Sequence, residues 1–102
     1  MLKHIVMWRL KEFADGRSKL ENAALLKEKL EGLKPIISEI IEIEVGINDL
    51  NLETNYDVIL ISVFADSEAL SRYSNNPEHK KIGEFVAKVR EDRKAVDYTF
   101  AG

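Results

Sequence analysis

Tyr56-Asp57-Val58-Ile59-Leu60-Ile61-Ser62-Val63-Phe64 decides the fold. The run is rich in β-branched and aromatic residues and apolar at odd and even positions alike, the pattern of a strand buried on both faces. A second such strand opens the chain. Leu2, His4, Val6, Trp8 and Leu10 share one of its faces, while Ile5 and Met7 lie between Lys3 and Arg9 on the other. Between these two strands, Ala14-Asp15-Gly16 reads as a turn. Residues 17–34 read as a helix with Leu20, Ala23, Leu26, Leu30 and Leu33 along one side, stopped by Gly32 and Pro35. Ile36 to Ile40 is compatible with a short helical turn, and Ile41 to Ile47 alternates as a strand. A polar loop, Asn48 to Asn55, leads into the central run.

Beyond it, Asp66 is a helix cap for residues 67–74, and Asn76-Pro77 starts a helix over 77–91. Asn accepts the free amide hydrogens of a first turn, and Pro fits the position where no N–H is needed. Ile82, Phe85, Val86 and Val89 face inward from this helix. Residues 93–100 form the last strand, with Val96, Tyr98 and Phe100 on one face. The order strand–helix–strand–strand–helix(–helix)–strand is the α+β, ferredoxin-like βαββαβ arrangement, one domain over residues 1–102. Its helices cover one face of the sheet. The two strands apolar on both sides then leave a hydrophobic patch on the other face, and a second copy packed sheet against sheet is its simplest cover. A homodimer is expected.

The bulk numbers set bounds. A chain of 102 residues, 45% hydrophobic and 32% charged, makes a single folded domain with a modest core. A net charge of −3 offers no basic field to nucleic acid. No apolar run approaches the ~20 residues that span a bilayer, and the first residues enter a strand without a signal peptide's architecture. There is no cysteine, hence no disulfide or thiolate nucleophile. A cytoplasmic protein is the expectation.

The chemistry-bearing residues are few. His79 falls in the first turn of the last helix, where the positive end of the dipole disfavours an added proton. A neutral imidazole there is either a general base for an acidic proton beside a carbonyl or a ring that only tightens the Asn76-Pro77 corner through a backbone hydrogen bond. Tyr73 either donates to a substrate oxygen or is a core tyrosine. His4, the only other histidine, lies on an apolar strand face, as a pocket group or a satisfied core residue. Asp57 is placed beside the first strand, where it would orient His4, or stands at a solvated edge. Lys27 falls inside the apolar arc of the first helix; it snorkels outward, pairs with Asp57, or offers a cation to an acidic ligand. The run Arg90-Glu91-Asp92-Arg93-Lys94 reads as solvated turn and face. His4, His79 and Asp57 match no metal-ligand spacing, and no phosphate loop is present. No metal or cofactor is expected.

Three pieces resemble a known family: Leu2-Lys3-His4-Ile5-Val6, Tyr73…Asn76-Pro77-Glu78-His79, and Asp97-Tyr98-Thr99 in the final strand. In this order they resemble the stress-responsive A/B barrel domain, a branch of the dimeric α+β barrel superfamily. The resemblance implies two ferredoxin-like subunits whose sheets form one barrel, with a small pocket between each sheet and its helices. It also implies the chemistry of plant polyketide cyclases, an intramolecular aldol condensation without a cofactor. There the positions of Tyr73 and His79 form the polar catalytic pair, and that of His4 lines the pocket. The chain departs from those cyclases with Asp57 for a pocket histidine, Lys27 for a helix-one tyrosine, and Trp8 for a smaller apolar residue. Two functions follow: a cofactor-free cyclase or lyase on a small oxygenated substrate, or a non-catalytic small-molecule-binding or stress-associated dimer. Trp8 discriminates between them, by lining an open cavity that contains Tyr73 and His79 or by filling the space between sheet and helices.

Overall fold

A computed structural model describes residues 1–50 and 52–102. Along the chain run β1 (Leu2–Leu10), a hairpin of β2 (Phe13–Ala14) and β3 (Arg17–Ser18), α1 (Lys19–Glu31), β4 (Glu42–Ile47), β5 (Val58–Phe64), α2 (Ser67–Asn75), α3 (Pro77–Val89) and β6 (Arg90–Thr99). The main sheet is antiparallel in the order β4-β5-β1-β6, which is the ferredoxin-like topology. β1 and β5 occupy its centre, where a strand has neighbours on both edges and needs apolar residues on both faces.

The β1–β5 register pairs Leu2 with Phe64, His4 with Ser62, Val6 with Leu60 and Trp8 with Val58. These side chains share one face, and the helices close over it. Val6, Trp8, Leu10, Leu60 and Phe64 meet Leu26 and Leu30 of α1, Tyr73 of α2, and Val86 and Val89 of α3 in one core. Each such aliphatic or aromatic side chain contributes roughly 1.5–3 kcal/mol by leaving water. The opposite face carries Ile5, Met7, Ile59, Ile61, Val96 and Tyr98 with no helix over it. Val96 is 55% exposed and Tyr98 45%.

Helix ends follow local chemistry. Asp15 (φ 53°) and Gly16 (φ 77°) both take the left-handed conformation of a two-residue hairpin turn. α1 starts only after this hairpin, later than the expected residue 17, because Ser18 and Glu21 form a reciprocal capping box. Leu20, expected in the apolar stripe, is 72% exposed. Asn22 is buried in the first turn instead, donating to the carbonyl of Ala14 at 3.0 Å: the helix here rests on the hairpin, whose carbonyls need a donor. Asp66 caps α2 by accepting from Ala69 N at 2.9 Å. Asn76 caps α3 by accepting from Glu78 N at 2.9 Å, with Pro77 in the first position. β6 begins at Arg90, directly from the end of α3 and earlier than expected. That shift decides the site.

Candidate functional site

Between the sheet and α3 lies a cavity of about 260 Å³. Val6, Trp8 and Leu60 form its sheet wall and Leu30, Ile82 and Val86 its helical wall; His4, His79, Arg90 and Arg93 supply its polar groups. A larger hollow, about 440 Å³, lies around Met7, Gly46, Tyr56 and Asp57. Its ionisable groups are already engaged with protein partners, which leaves the smaller cavity as the candidate site.

The strand period delivers His4 to the helix side beside Val6 and Trp8. Its Nδ1 lies 2.5 Å from Asp97 Oδ1, directly across the β1–β6 register. A carboxylate only accepts, so Nδ1 carries the hydrogen and Nε2 is left as the free acceptor. His79 repeats the arrangement: its Nδ1 donates to the carbonyl of Ser74 at 3.3 Å, leaving Nε2 unengaged. Burial, with the cation of Arg93 adding to it, holds the His79 pKa below the ordinary histidine value. Burial leads these causes, where the sequence pointed to the helix dipole.

Tyr73 stands between the two imidazoles. Its ring centre is 4.4 Å from that of His79 and 6.4 Å from that of His4, and it packs on Phe64 at 4.8 Å. The residue is fully buried, its hydroxyl has no hydrogen-bond partner among the described residues, and burial pushes its pKa up to about 12. Tyr73 therefore wedges the imidazoles in place and does not line the cavity. Trp8 does line it, only 5% exposed, with its indole N–H unpartnered among the described residues. The indole forms a wall and leaves the cavity open.

Two expected site residues lie elsewhere. Asp57 does not reach His4. Its carboxylate accepts from Leu10 N at 2.7 Å and lies 3.5 Å from Lys19 Nζ, because it precedes β5 at the far end of β1. Lys27 does not meet Asp57 or the cavity; it bonds Glu31 at 2.9 Å and the Val45 carbonyl at 2.5 Å, tying α1 to β4. The sequence reading missed Asp97, Arg90 and Arg93. The last two sat in a run read as solvated turn, although Arg93, Ala95 and Asp97 alternate opposite Val96 and Tyr98, and that alternation was the available signal. Among the described residues no group of three or more acidic or histidine side chains is arranged to hold a metal ion. No helix among them is long and apolar enough to cross a membrane.

Comparison with known proteins places this geometry. The chain is 36% identical to a dimeric protein of unknown function and ferredoxin-like fold from Bacteroides fragilis, the match covering 97% of this chain and 95% of that one with a TM-score of 0.85. A dimeric ferredoxin-like protein of unknown function from Thermobifida fusca shares the fold at 20% identity, 97% and 90% coverage and a TM-score of 0.82. So does the hydroxynitrile lyase of Passiflora edulis, at 18% identity, 98% and 96% coverage and a TM-score of 0.75. Comparison with curated proteins returns no match. The model of the stress responsive A/B barrel domain matches residues 2–100, and with the ferredoxin-like sheet and its helix-side cavity this makes the chain a member of the stress responsive A/B barrel domain family.

Proposed function

We propose that the protein is a homodimer whose helix-side cavity binds a small oxygenated, partly apolar molecule and transfers a proton on it without a cofactor, as a cyclase or lyase does. One observation carries this reading: two imidazoles line one largely apolar cavity, each with Nδ1 tied to a protein acceptor and Nε2 unengaged. His79, held neutral, takes the acidic proton next to a carbonyl. His4, its tautomer fixed by Asp97, offers Nε2 as an acceptor to a substrate hydroxyl, and His79 returns the proton it has taken. Tyr73 is a positioning residue that keeps His79 over the cavity. The likeness to a hydroxynitrile lyase lends support at the level of the fold.

The test is deuterium exchange at the α-carbon of a small ketone such as phenylacetone, followed by NMR. The protein accelerates exchange above buffer, and the rate rises with pH through an inflection below the ordinary histidine value. His79→Ala lowers it by about 100-fold or more. Exchange equal in parent and variant removes the catalytic role. A second reading, ligand binding without turnover, is favoured by the sealed Tyr73 hydroxyl; saturable ketone binding with no exchange above buffer establishes it.

The dimer is supported by the uncovered apolar sheet face and by relatives described as dimeric. Met7, at the centre of that face and 37% exposed, is the residue to change. Met7→Asp puts a charge into the sheet-to-sheet packing and converts the dimer to monomer in analytical ultracentrifugation; a variant that stays dimeric rules out this face.

A further inference from the structure

The cavity is cationic in a chain whose net charge is −3. Arg90 caps the C-terminus of α3 and Arg93 stands opposite Trp8 in the β1–β6 register. Both residues line the cavity, and the cation of Arg93 acts on His79. Neither has a carboxylate within ion-pair distance among the described residues, although the neighbouring acid Asp92 is taken by Tyr56 and Lys94. No Asp or Glu lines the cavity. A solvated surface run would pair its arginines with the adjacent acids; here Asp92 is engaged elsewhere and both arginines border the hollow. Beyond them the wall is Trp8, Leu30 and Leu60, which suits an apolar body.

We propose that the ligand of this cavity is a carboxylate on a compact apolar or aromatic body, its anion held by Arg90 and Arg93 and its body against Trp8. The proposal rests on the reading of the cavity as a ligand site and names the class of molecule it takes. A guanidinium offers parallel N–H donors that match the two oxygens of a carboxylate, and the bond is charge-assisted. The anion then lies at the β6 side of the cavity, and the rest of the molecule extends toward His4 and His79.

Trp8 is the only tryptophan, so its fluorescence reports on the cavity wall directly. The probes are phenylacetate, its neutral counterpart phenylacetamide, and inorganic phosphate. Phenylacetate changes the Trp8 emission saturably and binds about tenfold or more tightly than phenylacetamide, a difference of about 1.4 kcal/mol. Phosphate, an anion without an apolar body, leaves the emission unchanged. Arg90→Gln/Arg93→Gln, with the circular dichroism of the parent, brings phenylacetate down to the affinity of phenylacetamide. Equal binding of the two organic probes by the parent overturns the charge preference and leaves the ligand cavity standing. So does a preference that survives in the double variant. Loss of both organic probes in the double variant overturns it as well, since the arginines then shape the cavity and do not read the anion. Phosphate binding as tight as phenylacetate overturns the role of the apolar body. If neither organic probe binds the parent at millimolar concentration, the ligand-site reading fails and the proposal falls with it.

Discussion

Asp57 and Asp97 flank the same strand, β1, at opposite ends, and their fates differ. Asp57 accepts from the buried Leu10 amide and faces Lys19, so its negative charge closes a corner of the fold. Asp97 accepts from His4, so its charge fixes the tautomer of a ring that lines a cavity. Residue type does not separate them; register does. A carboxylate opposite a backbone amide is structural, and one opposite an imidazole bordering a hollow is available to chemistry.

The largest effect is expected at Asp97. Asp97→Asn keeps the fold but lets His4 adopt the wrong tautomer, and α-proton exchange on a ketone falls by at least about tenfold. Asp57→Ala leaves that rate at the parental level. If the two variants lose exchange equally while remaining folded, the distinction between the carboxylates is wrong.

Stability should respond in the opposite order. Asp57→Ala leaves the buried Leu10 N–H without a partner, a cost of about 1–3 kcal/mol. In a domain of this size that lowers the thermal midpoint by roughly 4–8 °C per kcal/mol. Asp97→Asn, whose side chain is 45% exposed, shifts it far less. A midpoint unchanged in Asp57→Ala would show that water or a neighbouring group satisfies the amide.

The smallest effect is on pH dependence. His79 has a folded pKa below its unfolded value, so the unfolded chain binds more protons as pH falls through that window. Stability contributed here is present above the ordinary histidine pKa, near 6.5, and lost as pH drops toward the folded value. Denaturant titrations between neutral pH and pH 5 show this loss in the parent, and His79→Gln flattens it. An unflattened profile would assign the acid sensitivity to the carboxylates.

The fold was legible because its strongest signals are local. Two strands apolar on both faces, a capped helix after Asp66 and the Asn76-Pro77 restart place the elements in order, and one order of elements leaves one sensible sheet. The site was half legible. His4, Trp8 and His79 carried rare side chains at positions whose face could be read from period alone. Asp97, Arg90 and Arg93 were missed because their placement depends on where β6 begins and on its register with β1, a contact spanning almost the whole chain. The alternation from Arg93 to Tyr98 gives the faces of this strand, but nothing local in the charged run says that it starts at Arg90 or which residues of β1 it meets. Asp57 was misassigned for the same reason: sharing a neighbourhood with β1 does not say which of its residues a side chain meets.

β6 also bears on how such a protein changes over generations. Its residues are exposed except for the half-buried Asp92, because the helices cover the other strands and leave this edge bare. A substitution on its helix-side face, away from Val96 and Tyr98, costs little folding free energy, since surface changes away from caps and networks usually stay within about 0.5 kcal/mol. Yet Arg93 and Asp97 of this strand face the cavity or hold one of its histidines. The positions that selection can rewrite most freely on the helix side of this strand are thus ones that border the cavity. New specificities can be tried along it while Leu26, Leu60 and Phe64 keep the scaffold intact, so a single architecture can pass between chemistries with few intermediates lost to misfolding.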